Sequence, residues 1–159
     1  MAKLLITYYT RTHHTEHMAE AIGEGAGGVE GAEVEVKPAD QVDPKELPQY
    51  DGILMGTPVY YGTLAAQLKK LLDDSIAVHG KLVGKVGAAF ASSANVGGGN
   101  ETAVLSILQG MLIHGMVVQG SVMGDHYGAV AIGDLDERSS RQCLNHGRLV
   151  AELTVKLHG

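Results

Sequence analysis

The order in which apolar runs and helical periods follow one another limits what this chain can fold into more than any other feature. Five short β-rich runs, Lys3–Tyr9, Ala32–Val36, Gly52–Met55, Val86–Ala91 and Met116–Val122, are separated by stretches with helical spacing at Thr15–Gly25, Leu64–Leu72 and Glu101–Ile113, and a last such stretch covers Arg138–Leu157. In the helical stretches the apolar residues recur every three or four positions, as Leu64, Leu68, Leu71 and Leu72 do. The first run, KLLITYY, is nearly continuously apolar, which is what a strand buried on both faces requires, whereas Ala32–Val36 alternates and reads as nearer an edge. Strands regularly interleaved with helices predict an α/β fold, a parallel sheet covered on both sides. At 159 residues, with no internal repeat or linker, one domain is expected.

Composition narrows the classes of function. A formal net charge of −6 disfavours a nucleic-acid partner, because that binding is driven by Lys and Arg neutralising phosphates. The single cysteine, Cys143, rules out an internal disulfide, a CxxC redox pair and a cysteine-ligated metal centre, and it reads as a small buried hydrophobe. Any redox chemistry therefore has to come from a bound cofactor. The apolar start of the chain is too short for a signal or membrane segment, so a cytoplasmic protein without a membrane partner is expected.

In open parallel sheets, ligands sit outside the carboxyl ends of the strands. The loop after the first strand is Thr10-Arg11-Thr12-His13-His14-Thr15, crowded with hydroxyls at a helix start. Unpaired amides and the positive end of the helix dipole make that place a cradle for phosphate. An alternative is a plain N-cap by Thr12 or Thr15, with Glu16 complementing the dipole. The loop is neither GxGxxG nor GxxxxGK[ST], so a terminal monophosphate suits it better than a dinucleotide or a nucleoside triphosphate. His13, His14 and His17 do not form HExxH, and no metal site is expected.

The loop after the third strand, Gly56-Thr57-Pro58-Val59-Tyr60-Tyr61-Gly62, places two tyrosines where they can lie along a flat aromatic ligand, or simply form a packed turn. The loop after the fourth strand, Ser93-Ala94-Asn95-Val96-Gly97-Gly98 with Gly99, can bring backbone amides close to a heterocycle, or be a flexible glycine turn. His114, ahead of Gly115, reads either as a helix C-terminal residue complementing the dipole or as a ligand contact.

Together these passages resemble the flavodoxin-like superfamily, and more closely the WrbA type of NAD(P)H:quinone oxidoreductase. The similar segments are AKLLITYYTRTHHTEHMAEAIGEGA, GTPVYYGTLAAQLKKLLDD, GGGNET, HGMVV, HYGAVAIGD and LTVKLHG, spread over almost the whole chain. The resemblance implies a flavodoxin-like three-layer sandwich with a five-stranded parallel sheet in the order 2-1-3-4-5. It implies FMN as cofactor, its phosphate held by residues Thr10 to Thr15. Pro58, Val59, Tyr60, Tyr61 and Gly62 would line the isoalloxazine, Ser93 to Gly98 would border it, and His114 would lie near its pyrimidine end. Tyr60 and Tyr61 would also shape a substrate pocket, while His114 would stabilise the reduced flavin electrostatically.

The activity so implied is transfer of two electrons from NAD(P)H to a quinone-like acceptor with ping-pong kinetics; the competing reading is an electron carrier that serves a redox partner protein. A homodimer or homotetramer is the family's expectation. This chain is shorter than typical members between strands two and three, before strand four and after strand five, and it lacks the tryptophan usual in the family's substrate pocket. It also has His13 where glycine is frequent.

Overall fold

The computed structural model describes residues 1–159. β1 (Ala2–Tyr8) is central and pairs in parallel with β2 (Ala32–Pro38) on one side and β3 (Gly52–Tyr60) on the other. β3 pairs in parallel with β5 (Val86–Ser93), and β5 with β6 (Val117–Val118), so the main path runs β2-β1-β3-β5-β6. That is the expected flavodoxin-like winding, with β4 (Thr63–Leu64) added as a short antiparallel partner of β3 and β7 (Val130–Ile132) as a second parallel partner of β5.

Successive strand residues point to opposite faces and build two cores. On one face Leu4, Ile6, Leu54, Ala88 and Phe90 pack under α1 (His14–Gly27) and α4 (Glu137–His158). On the other, Leu5, Ile53, Met55, Ala89 and Ala91 pack under α2 (Ala66–Asp74), α3 (Asn100–Ile113) and the 3-10 turns at Ala39–Gln41, Pro44–Gln49 and Ser75–Val78. Every residue of β5 is buried, as its near-uniform small and apolar composition predicts. α1 and α4 cross with backbones in contact: a Cβ on Gly147 would run into the Ile22 carbonyl, and one on Gly25 into the backbone of Leu144. Only glycine permits that approach. α4 opens on a reciprocal capping box between Asp136 and Ser139. No helix is long and apolar enough to cross a membrane.

Three sequence expectations are corrected. The third strand does not stop at Met55 but continues through Tyr60, so Pro58, Val59 and Tyr60 are strand residues and the loop shrinks to Tyr61-Gly62. Leu64 accordingly belongs to β4, and α2 begins at Ala66. The fifth strand is not a continuous Met116–Val122. β6 pairs with the amino end of β5 at Val86 and Gly87, residues 119–129 leave the sheet, and the chain returns as β7 beside Ala91, Ser92 and Ser93. Side chains hold this excursion: the Asp125 carboxylate accepts from Val130 N at 2.9 Å and from Arg138, and the Asp125 amide donates to Gln142 Oε1 at 3.1 Å. Arg138 and Gln142 lie 13 and 17 positions from Asp125, out of reach of a local pattern.

Candidate functional site

The loops after β1, β3 and β5 meet at the carboxyl edge of the sheet. At the first, His13 occupies the N-cap of α1 in a left-handed conformation with φ 70°, and no side chain caps the helix. The N-cap role open to Thr12 or Thr15 is therefore not taken up. The His13 imidazole turns instead to Glu16, Nδ1 to Oε2 at 2.5 Å, and Glu16 also accepts from the Tyr8 hydroxyl at 3.0 Å. These bonds, first that from His13, hold the Glu16 carboxyl below its ordinary range, while burial, and then Glu16, push the Tyr8 phenol up to about 12. One turn on, His17 Nδ1 meets Asp134 Oδ1 at 2.8 Å, which raises the imidazole pKa and lowers that of the carboxyl.

These side-chain pairs leave the backbone free. The amides of Thr10 to Glu16 find no acceptor in the protein; the first amide of this region with one is His17, which donates to His13 O at 3.0 Å. Beside them the Thr10 hydroxyl is buried and unpartnered. A row of donors at the positive end of a 14-residue helix, next to an unsatisfied hydroxyl, fits a terminal phosphate. Thr12 is exposed. Thr15 is buried, its hydroxyl 2.9 Å from that of Ser92 at the end of β5. That contact ties the first loop to β5.

The tyrosine segment is a two-residue hairpin. Tyr61 and Gly62 both have positive φ, 49° and 80°, as a type I′ turn needs, and Val59 and Tyr60 pair with Leu64 and Thr63. Tyr61 projects fully into solvent; Tyr60 is half-buried with its ring edge-on to Tyr9 at 6.4 Å. Thr57 Oγ1 accepts from Ala65 N at 2.8 Å, which pins the hairpin's base. At its tip Thr102 Oγ1 approaches Gly62 O at 2.6 Å, and Gly99 lies so close that a Cβ there would be 2.8 Å from Gly62 Cα. Thr102 and Gly99 thus lock the tyrosine hairpin to the glycine loop.

In that third segment Ser93 is buried and Ala94 to Gly97 are exposed. The Ser93 hydroxyl donates to Asn95 O at 3.0 Å and accepts from Asn100 Nδ2 at 3.2 Å, and Gly98 N closes the turn on Asn95 O. The exposed peptide edge from Ala94 to Gly97 faces no internal acceptor.

His114 is not brought to this edge. It follows α3, which starts at the glycine loop and runs 14 residues, about 20 Å, to the amino edge of the sheet. There it is buried, with Nε2 2.7 Å from Ser75 Oγ, and its neighbour His79 lies 5.9 Å away between ring centroids. The Ser75 hydroxyl spends its proton on Leu72 O, so His114 donates from Nε2 and its buried Nδ1 is left bare. Burial, then His79, lowers its pKa. A flavin-side electrostatic role for His114 is thus at odds with its place in the chain: the apolar α3 that connects it to the glycine loop spans the sheet.

Sequence reasoning missed Ser92, Thr102 and Asp134, which act through other residues. Their only local signal is position: Ser92 is the penultimate residue of β5, Thr102 lies in the first turn of α3, and Asp134 follows the end of β7.

A model of the family described as NADPH-dependent FMN reductase matches residues 44–129, more than half of the chain. A flavodoxin of Aquifex aeolicus is 38% identical over 160 residues, covering 96% of this chain and 86% of its own. An NAD(P)H dehydrogenase (quinone) of Sinorhizobium fredii is 43% identical over 142 residues, covering 76% of this chain and 71% of its own. In fold, the chain superposes on a WrbA-like flavodoxin from Agrobacterium tumefaciens with a TM-score of 0.85, 23% identity and 99% of both chains covered.

Proposed function

The chain belongs to the NADPH-dependent FMN reductase family of flavodoxin-like proteins, and on that premise we propose that it is an FMN-dependent oxidoreductase that passes two electrons from NAD(P)H to a quinone-like acceptor by a ping-pong mechanism. The observation that carries the reading is the unpaired row of amides from Thr10 to Glu16, with the orphaned Thr10 hydroxyl, at the same sheet edge as the tyrosine hairpin. The backbone amides of Thr10 to Thr15 and the Thr10 hydroxyl hold the phosphate. Val59, Tyr60 and Tyr61 lie along the ring, and the Ala94–Gly97 backbone supplies donors to its polar edge. When bound, FMN supplies the redox chemistry, taking a hydride equivalent from the nicotinamide and yielding two electrons to the acceptor.

The chain's own part is positioning. Tyr60, braced by Tyr9, gives a rigid wall; Tyr61, fully exposed, covers the approach; the Thr102–Gly62 bond keeps hairpin and glycine loop at a constant separation. No side-chain acid or nucleophile is required. His114 lies outside this set, and the donors open at the glycine loop are the exposed amides of Ala94 to Gly97.

A second reading, an electron carrier, is favoured by the 38% identity to a flavodoxin over 86% of that protein. Anaerobic mixing of the yellow holoprotein with NADPH or NADH separates the two. Bleaching within seconds is expected; a protein that bleaches with dithionite and not with either nucleotide is a carrier.

A further inference from the structure

Beside the tyrosine hairpin lies an open groove of about 720 Å³ whose walls include Tyr9, Arg11, Tyr60, Thr63, Gln67 and Lys69. It shares Arg11 and Tyr60 with the proposed flavin site and extends from there toward α2. We propose that this groove takes the phosphorylated adenosine arm of the nicotinamide donor, with Arg11 as its principal phosphate contact; the inference rests on the reductase reading above.

The charge pattern singles out Arg11. The chain has four arginines, and Arg138, Arg141 and Arg148 each pair with a carboxylate, Asp125, Glu137 and Glu152. Arg11 pairs with none; it is exposed and lines the groove together with Tyr60. In a chain of net charge −6, an exposed guanidinium with no carboxylate neighbour is a local exception to the field. Its planar fork of donors matches phosphate oxygens, and it is less strongly hydrated than an ammonium. On the other wall Lys69 is engaged at 2.5 Å by Asp73, one helical turn away, and both side chains are more than half exposed, a pairing readily exchanged for a better anion.

The rest of the groove suits the nucleoside. Tyr9 and Tyr60, edge to face at 6.4 Å, give an apolar aromatic floor on which a purine can pack, and Thr63 and Gln67 offer polar groups at its margin. The volume falls in the range of small-molecule sites, roughly 300–1,000 Å³. A donor whose nicotinamide reaches the tyrosine-lined ring has its other half to place, and this groove opens from that rim.

The test is isothermal titration of the FMN-loaded protein with 2′,5′-ADP, a fragment that cannot reduce the flavin, beside NADPH bleaching of the same preparation. Saturable binding is expected, weakened at least tenfold by Arg11→Gln, severalfold by Lys69→Gln and by raised salt, with partial recovery in Arg11→Lys. The FMN dissociation constant of Lys69→Gln is expected to stay that of the parent protein. If NADPH bleaches the protein but 2′,5′-ADP does not bind, or binds Arg11→Gln as well as the parent, the groove assignment is wrong and the reductase reading stands. If neither NADPH nor NADH bleaches the flavin, the reading fails and this inference with it; if NADH alone bleaches it, the reading stands and the assignment of a 2′-phosphorylated arm to the groove is wrong.

Discussion

The hydroxyls of Thr15 and Ser92, 77 positions apart in the chain, meet at 2.9 Å in a buried contact that fastens the first turn of α1 to the end of β5. It sets the distance between the phosphate cradle and the glycine loop that follows Ser93. Ser92→Ala leaves the Thr15 hydroxyl buried without its partner, at a cost of about 1–3 kcal/mol. Thr15→Val combined with Ser92→Ala removes both polar groups and is expected to regain part of that loss. A urea-unfolding cycle over the four proteins measures the coupling; additive single-variant effects would show that the two hydroxyls do not depend on each other.

The Thr10 hydroxyl gives opposite signs for folding and for ligand binding. Thr10→Val removes a buried group that has no partner in the protein, so the apoprotein is expected to hold or raise its urea midpoint. FMN affinity is expected to fall by about ten- to a hundredfold, the loss of one hydrogen bond to a charged group at about 1.5–3 kcal/mol. Flavin fluorescence titration reads the second effect, and an unchanged dissociation constant would take Thr10 out of the cradle.

His146 makes stability depend on pH. It is buried under β5, its Nε2 donating to Ala89 O at 3.1 Å, and burial lowers its pKa to about 4. An unfolded histidine titrates near about 6.5, so on acidification the unfolded chain takes up the proton first. The stability from the neutral ring is whole above about pH 6.5 and is lost between there and pH 4, at a slope of up to about 1.4 kcal/mol per pH unit. His114, lowered by burial and His79, acts in the same direction. His146→Gln, whose amide can still donate, is expected to flatten the urea midpoint between pH 6.5 and 4.5. The same slope in the variant would assign the effect elsewhere.

Asp125 holds the interrupted fifth strand. Replacing it by Ala strands the Val130 amide and frees Arg138, with an expected loss of about 1–2 kcal/mol. Amide exchange at Val130, Ala131 and Ile132 is expected to speed up ahead of the rest of the sheet. Uniform protection across β5 and β7 in the variant would mean that β7 is held by its strand pairing alone.

Most of the architecture was legible in the residues. The continuous apolar runs of β1, β3 and β5 and the alternating β2 led to the buried and edge positions, because burial of a strand's faces depends on its own side chains. Two stretches of the sequence look like something other than what they form. Pro58 and the Tyr60-Tyr61-Gly62 run look like a loop, yet pairing with Thr63 and Leu64 extends the strand to Tyr60. The apolar Met116–Val122 looks like one strand, yet Asp125, Arg138 and Gln142 draw the chain out of the sheet and return it at Val130.

The site divides along the same line. Sequence alone determined which three loops stand at the carboxyl edge and that the first is rich in donors, since both follow from strand order and residue type. Tertiary structure alone decided that Thr15 faces Ser92, that Thr10 and a row of amides are left unpaired, that Thr102 locks the hairpin, and that His114 lies a helix length from the three loops. Hydrogen-bond partners separated by dozens of residues are set by how helices and strands dock, and short-range periodicity carries no information about that distance.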